Sequence, residues 1–192
     1  QHSTLTTTDN ITQLDAILNF SQLDYNGGAA NLLTDDAQIH ALFRDNEIHN
    51  IELNVLQLFG TDPSGSLSSG LNYNWLAGVR YFKFRDRLLF VADTVDRQIT
   101  GDANEVNYDI DLDNHLIGFQ VGAEGEWCLT PGLTLDFGTK VGLFGNRIQH
   151  FSRIGGAAGD AVINNGPNLG RAFRVDNAKT DVAFLAEESV VR

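Results

Sequence analysis

Residues 116–143 read LIGFQVGAEGEWCLTPGLTLDFGTKVGL, and their alternation of apolar with polar or small residues indicates the fold class. In its first part Ile117 and Phe119 alternate with glycine or polar residues. Its second part repeats the alternation with Phe137 and Val141. A period of two is typical of β-strands that have one apolar and one polar face. The stretch therefore predicts two amphipathic strands joined by a short connection.

The connection is predicted at residues 130–132, Thr-Pro-Gly. Proline presets φ and glycine permits a positive φ, so this is a tight turn. In the register that the turn favours, Gly125 lies opposite Phe137, whose ring can cover the missing side chain. Glu124 then lies diagonal to Lys140, within reach of a long side chain. The two strands are therefore expected to form a hairpin.

The same alternation recurs elsewhere in the chain. It is clear in residues 51–55, 74–82 and 178–186, and less regular in 87–94. The polar pair Arg85-Asp86 is expected to form a short turn between two of these strands. Residues 47–192 are therefore predicted to be a β-barrel portion of about six or seven antiparallel strands.

The first 46 residues follow this pattern poorly. They are predicted to form a separate N-terminal segment, with a candidate first strand over residues 14–25 and a helical turn around residues 37–43. The role of residues 1–46 stays open.

The predicted connections alternate in length. Residues 60–71 and 155–171 are long and rich in glycine, serine or asparagine, whereas 85–86 and 130–132 are short. Outer-membrane barrels have long outer loops and short periplasmic turns. The expected fold is therefore all-β, an antiparallel up-and-down transmembrane β-barrel, of which this chain is a part.

Strand length and composition support this expectation. Residues 114–129 and 133–146 are longer than the usual five or six residues of soluble strands, and about 9–11 residues suffice to cross a membrane. The polar face mixes glycines with charges of both signs, as a water-filled lumen would. The predicted lumen-facing residues are Arg80, Gln120, Glu124, Asp136, Lys140 and Lys179.

Aromatic residues lie near the strand ends on the apolar face. Tyr and Trp prefer the headgroup level of a bilayer. The predicted membrane-interface aromatics are Tyr73, Trp75, Tyr81 and Trp127.

Composition excludes several classes of function. The net charge is -12 and the pI about 4.6, so nucleic acid is not an expected partner. One cysteine, Cys128, permits no internal disulfide. No apolar run reaches 18 residues, so no transmembrane helix is expected.

No sequence motif indicates a catalytic or metal-binding site. Residues 109–114 have the spacing of the first half of a calcium loop, but Asn114 stands where the loop needs glycine. The histidines lack metal-ligand spacing, and no Gly-x-Ser-x-Gly elbow is present. No catalytic residue, metal or cofactor is predicted, and the protein is not expected to be an enzyme.

Four short stretches resemble a family of bacterial outer-membrane proteins. They read IELNVL (51–56), WLAGVRYF (75–82), NHLIGFQVG (114–122) and KVGLFGN (140–146). They are similar to the planctomycete β-barrel family known as beta-barrel porin seven, over roughly residues 47 to 188. The resemblance implies a porin-like channel or membrane scaffold in the outer membrane of the cell envelope. It implies lipid as the partner, with small solutes or ions passing through the lumen, and no catalytic residues. The family barrel is longer than this chain, so further strands are expected.

An alternative from another class stays open at this point. The chain could be a soluble or periplasmic β-barrel that binds an apolar small molecule. The polar face would then be the exterior, and Phe119, Val121, Phe137 and Val141 would surround a core or ligand. The two hypotheses differ in which face of the sheet meets apolar surroundings.

Overall fold

A computed structural model describes residues 2–8, 14–59, 71–130 and 132–191. The chain is all-β. The strands are β1 His2–Thr8, β2 Leu23–Tyr25, β3 Gly28–Ala29, β4 Ile39–Phe59, β5 Leu71–Asp93, β6 Val106–Thr130, β7 Leu133–Gly156, β8 Gly159–Asp160, β9 Val162–Ile163 and β10 Arg174–Val191. Two short 3-10 helices span Ala30–Leu33 and Gly166–Asn168. Within these residues no helix has the length and apolar character needed to cross a membrane.

One large sheet dominates the fold. Its strand order is β1-β4-β5-β6-β7-β10, and β8 pairs with β7, which makes seven strands. The prediction of an antiparallel all-β fold is confirmed. The predicted number of six or seven strands is too low for the chain, since the described residues form ten strands, seven of them in this sheet. In the described part of the chain β1 and β10 are the two edges, and no pairing closes the sheet into a barrel.

The hairpin of β6 and β7 agrees with the predicted register. β6 ends at Thr130 and β7 begins at Leu133, and Gly132 has a φ of +91°. A side chain at Gly125 would collide with the ring of Phe137, so the ring does cover the glycine. These contacts confirm the predicted hairpin; Pro131 of the turn lies outside the described residues.

The predicted turn at Arg85-Asp86 is wrong. β5 runs through both residues as one strand of 23 residues. The charges do not end the strand because each has a partner on a neighbouring strand. Asp86 accepts two hydrogen bonds from Arg44 of β4, and Arg85 pairs with Asp111 of β6. Cross-strand ion pairs of this kind are readily accommodated in a sheet.

The N-terminal predictions are also wrong in part. Of residues 14–25, three belong to a strand, β2. Residues 39–43 belong to β4 rather than to a helical turn. β1 was not predicted; it pairs with β4 from His2 opposite Asp45 to Thr8 opposite Ile39. β4 crosses the expected boundary between residues 46 and 47. Most of the predicted 60–71 loop lies outside the described residues.

The chain divides into two compact units. Unit 1 comprises Gln1–Glu47, Phe84–Asp113 and Gln149–Ala178. Its hydrophobic core consists of Phe20, Leu23, Tyr25, Ala30, Val106, Ile154 and Ala161. Part of that core comes from a small sheet of order β3-β2-β9. The predicted 155–171 loop thus contributes core residues of unit 1.

Unit 2 comprises Ile48–Lys83, Asn114–Ile148 and Lys179–Arg192. Of the hydrophobic residues that the structure describes in this unit, only Leu76 and Phe144 are buried. The described residues of unit 2 therefore form no apolar core of the kind that a soluble sheet builds on one face.

Candidate functional site

Unit 2 presents its apolar residues outward. Alternate positions of five strands carry large hydrophobic side chains that are exposed; Phe119 is 75% and Phe184 82% exposed. We call this surface the apolar face. Its members are Ile51, Leu53, Val55, Trp75, Val79, Ile117, Phe119, Val121, Val141, Leu143, Val182 and Phe184. Contiguous exposed apolar surface marks a site of contact with a partner or a membrane.

The opposite face of unit 2 carries a polar cluster centred on Glu52. Gln120 Nε2 donates to Glu52 Oε2 at 2.9 Å and to Asn54 Oδ1 at 2.8 Å. Lys140 Nζ lies 3.3 Å from Glu52 Oε2 and 3.9 Å from Glu124 Oε1. The last distance confirms the predicted diagonal pair of Glu124 and Lys140.

Arg80 completes this Glu52 cluster. Its Nε donates to Asn50 Oδ1 at 2.8 Å and lies 3.3 Å from Glu52 Oε1. Its Nη2 lies 2.7 Å from Glu187 Oε1. Arg80 is 4% exposed and Gln120 3% exposed, so both are buried polar residues. Buried charges are stable only when they are paired and hydrogen-bonded, as they are here.

The ion pair of Arg80 and Glu187 shows that the sheet of unit 2 is curled. Arg80 lies on β5 and Glu187 on β10, with β6 and β7 between them. Strands three steps apart in a flat sheet are about 14 Å apart. Side chains that stand perpendicular to a flat sheet could not meet over that distance. The Glu52 cluster therefore lies on the concave face and the apolar face on the convex side.

The structure brings together four of the six predicted lumen-facing residues: Arg80, Gln120, Glu124 and Lys140. Asp136 is close to this group, since it lines a cleft together with Glu124 and Glu126. Lys179 makes a separate ion pair, in which its Nζ lies 2.6 Å from Asp181 Oδ2. Whether any of the six faces a lumen stays a prediction.

Sequence reasoning missed four members of the cluster: Asn50, Glu52, Asn54 and Glu187. Glu52 and Asn54 are the polar alternate positions of the strand predicted at 51–55, and Asn50 precedes that strand by one residue in the same alternation. That alternation indicated their face. It could not indicate that Glu52 meets Lys140, because the two lie on strands separated by β5 and β6.

The predicted interface aromatics lie on the same alternate positions as the apolar face. Tyr73, Trp75 and Trp127 are exposed. Tyr81 is half-buried, and its hydroxyl lies 2.9 Å from His115 Nδ1. Their position at a membrane interface stays a prediction.

Unit 1 carries arginine–aspartate pairs across its strands. Arg87 binds Asp109 with two hydrogen bonds of 3.0 and 3.3 Å. Arg85 binds Asp111 in the same bidentate way and lies 3.7 Å from Asp113. Hydrogen bonding to Asp111 raises the pKa of Arg85. The carboxylates of the partial calcium motif are thus engaged by arginine.

Unit 1 also contains an apolar cleft of about 450 Å³. Phe20, Tyr108 and Phe173 are among the residues that line it. Their rings are in edge contact, with centroids 6.2 Å apart for Phe20 and Tyr108 and 6.5 Å for Tyr108 and Phe173. A cleft of this volume is in the size range of small-molecule sites.

The chain is therefore an antiparallel all-β protein that exposes an apolar face in unit 2. Comparison with known protein families, with characterised proteins and with solved structures gave no match. The resemblance to the beta-barrel porin seven family therefore stays a prediction.

Proposed function

We propose that this chain forms part of a bacterial outer-membrane β-barrel with a porin-like role, whose apolar face contacts lipid. One observation carries the proposal. In unit 2 the large apolar side chains are exposed on the convex face, and the charged Glu52 cluster lies on the concave face around the buried Arg80 and Gln120. This is the reverse of a soluble sheet, and it is the arrangement that an outer-membrane barrel requires.

The hydrophobic free energy of the apolar face favours lipid over water as its surroundings. Burying a Val, Leu, Ile or Phe side chain is worth about 1.5–3 kcal/mol relative to leaving it in water. The twelve residues of the apolar face forgo most of that stabilisation if water covers them. Hydrocarbon surroundings restore it without any change in the sheet.

The order of residues along β5 supports a membrane boundary. Alternate positions carry Trp75, Val79 and Tyr81, and the next two are Lys83 and Arg85. Aromatic residues followed by charges are typical of the headgroup region. The pair of Tyr81 and His115 would mark one interface, and Trp75 and Trp127 would lie toward the other.

In a membrane the edge strands of the sheet need hydrogen-bond partners. Open strand edges are not stable in hydrocarbon because their backbone groups lack partners. Among the described residues β1 pairs only with residues 39–45 of β4, so in unit 2 the two edges of the sheet are β4 and β10. Both must therefore pair with further strands in the membrane. Those strands would come from more of the same protein or from another copy.

The Glu52 cluster would then line the interior and set its electric field. It contains three carboxylates, Glu52, Glu124 and Glu187, against two cations, Arg80 and Lys140. A conducting barrel with this lining is expected to favour cations. A barrel that does not conduct would act as a membrane scaffold.

The two tryptophans, Trp75 and Trp127, provide the test. The protein is placed in bilayers that contain lipids brominated along the acyl chain, which quench tryptophan by contact. Single-tryptophan variants, Trp75→Phe and Trp127→Phe, separate the two signals, and acrylamide in water is the matched quencher. We expect strong quenching by brominated lipid and weak quenching by acrylamide at both positions.

Weak quenching by brominated lipid and strong quenching by acrylamide would show that Trp75 and Trp127 do not face lipid. Fractionation gives an independent check: after lysis and an alkaline carbonate wash, the protein should remain with the outer membrane and dissolve only in detergent. Release as a monomer that stays in solution without detergent would instead favour the second candidate function, a module that binds an apolar small molecule.

The second candidate is a binding module for an apolar small molecule, favoured by the cleft of unit 1. In this case the ligand would contact Phe20, Tyr108 and Phe173 rather than Phe119 and Val121, which are exposed. Saturable binding of a fluorescent fatty acid that Phe173→Asp abolishes would support it. Binding that Phe173→Asp leaves unchanged would exclude this cleft.

A further inference from the structure

Three carboxylates meet where β5 passes into β6. Asp93 is the last residue of β5, and Asp102 and Glu105 belong to the connection that precedes Val106. One oxygen atom from each carboxylate lies within 4.8 Å of the other two. Asp93 is 0% exposed and Glu105 1% exposed. Carboxylates are normally buried only when a cation compensates them.

Asp93 supplies a second, independent observation. Its Oδ1 accepts a hydrogen bond from the backbone N–H of Val95 at 2.7 Å. Its Oδ2 is buried and has no hydrogen-bond partner among the described residues. A buried, unpartnered carboxylate oxygen within a group of acidic ligands requires a physical explanation, and a bound cation supplies one.

The backbone already holds the other two carboxylates in place. Glu105 Oε1 accepts hydrogen bonds from the backbone N–H groups of Thr100 and Gly101, the latter at 2.8 Å. Asp102 Oδ1 accepts one from the Asn104 N–H at 2.7 Å. These bonds orient the carboxylates before any ion binds, which lowers the entropic cost of binding.

We propose that Asp93, Asp102 and Glu105 bind a calcium ion. Calcium is commonly held by several protein carboxylates together with backbone carbonyls, whereas magnesium is usually bound through one or two carboxylates and keeps several waters. A group of three carboxylates within one connection therefore favours calcium. Water and backbone carbonyls would complete the six to eight oxygens that calcium takes.

The site would link the connection to the N-terminal segment of unit 1. The Asp93 carbonyl accepts a hydrogen bond from the backbone N–H of Gln38 at 2.8 Å. Asn26 Nδ2 donates to the Ala103 carbonyl at 3.0 Å. A bound ion would therefore stabilise residues 94–105 together with the segments that contact them. This inference is independent of membrane insertion and goes beyond the proposed function.

Isothermal titration calorimetry of the full chain with calcium chloride tests the proposal, after treatment with EGTA and dialysis. We expect saturable binding of one ion per chain and weaker binding of magnesium. Asp93→Asn and Glu105→Gln should each weaken calcium binding by about tenfold or more, because the number of charged ligands sets affinity. Asp176→Asn is the matched control, since Asp176 is an exposed aspartate on β10, and it should leave binding unchanged.

Absence of saturable calcium binding by the wild-type chain would overturn the proposal. Binding that is equally strong in Asp93→Asn and Glu105→Gln would also overturn it, because the ion would then lie elsewhere. Circular dichroism establishes that each variant keeps its strand content. Asp102→Asn replaces any variant that does not, since Asp102 is half-buried and its neutral form can still accept the Asn104 N–H.

Discussion

Arg80 of β5 and Glu187 of β10 form an ion pair of 2.7 Å, although two strands of the sheet lie between them. Arg80 also lies 3.3 Å from Glu52 on the neighbouring strand β4. One guanidinium thus joins three strands across the concave face of unit 2. Arg80 therefore neutralises the carboxylates of Glu52 and Glu187 only when the sheet is curled enough to bring β5 and β10 together.

Replacing Arg80 should therefore be costly. Arg80→Met would leave Glu52 and Glu187 without their shared cation, and breaking a buried ion pair on one side costs about 3–5 kcal/mol. We expect the free energy of unfolding to fall by about 3 kcal/mol, the lower end of this range, because Glu187 is partly exposed. Urea unfolding of the protein refolded in detergent micelles measures the loss. Arg171→Met, at an exposed position, is the control and should change the unfolding free energy by less than about 0.5 kcal/mol. Equal effects of the two variants would contradict the structural role of Arg80.

Two glycines of one hairpin should differ in their tolerance of a methyl group. A Cβ at Gly118 would overlap the Leu143 carbonyl oxygen and come within 2.7 Å of Phe144 Cα. At Gly145 the nearest atom is the Ile117 carbonyl oxygen at 3.9 Å. Gly118→Ala should destabilise the sheet by about 1–3 kcal/mol, whereas Gly145→Ala should be neutral or slightly stabilising. The same unfolding assay decides, and equal stability of both variants would contradict the close approach of β6 and β7 at Gly118.

Lys140 should influence ion preference if the barrel conducts. Lys140→Glu adds a negative charge beside Glu52 and Glu124, so the reversal potential in a salt gradient should shift toward greater cation selectivity. Lys140→Gln removes the positive charge alone and should give a smaller shift in the same direction. A conducting barrel with unchanged selectivity in both variants would place Lys140 outside the conduction path.

The stability of the metal-free chain should depend on pH through Asp93. Burial raises the pKa of Asp93 above its ordinary value, and the nearby Asp102 and Asp96 add to the effect. The folded state therefore holds this proton more tightly than the unfolded state. The group lowers stability at pH values above its folded pKa, and this penalty disappears as the pH falls below the unfolded value of about 3.9.

Asp93→Asn removes that penalty. In EGTA at pH 7 it should stabilise the chain by about 1 kcal/mol, because a buried charge is replaced by a neutral amide. Below pH 3.9 its effect should vanish. Urea unfolding at pH 7 and pH 3.5 provides the comparison. Destabilisation at pH 7 would show that the Asp93 carboxylate is compensated in the metal-free protein.

The local sequence pattern predicted the hairpin of β6 and β7, but it did not predict that β5 is one continuous strand. Alternation and the Pro-Gly turn specified the pairing of Gly125 with Phe137, since both depend on residues close in sequence. Arg85-Asp86 has the same local composition as a turn. Its partners Asp111 and Arg44 lie 26 and 42 residues away, so nothing in the local pattern indicates that the charges are paired within a strand.

An antiparallel sheet with one apolar and one polar face was predictable from the order of the residues alone, because a period of two follows directly from strand geometry. The same alternation indicated which residues share each face. The folded chain was needed to show that the sheet of unit 2 curls with its polar face inside, that Glu52 contacts Arg80, Gln120 and Lys140, and that Asp93 lies close to Glu105. The contacts of Glu52 join residues from different strands, and Asp93 and Glu105 lie at the two ends of one connection. Such contacts, like the curvature of the sheet, arise from the packing of the whole chain rather than from any local pattern.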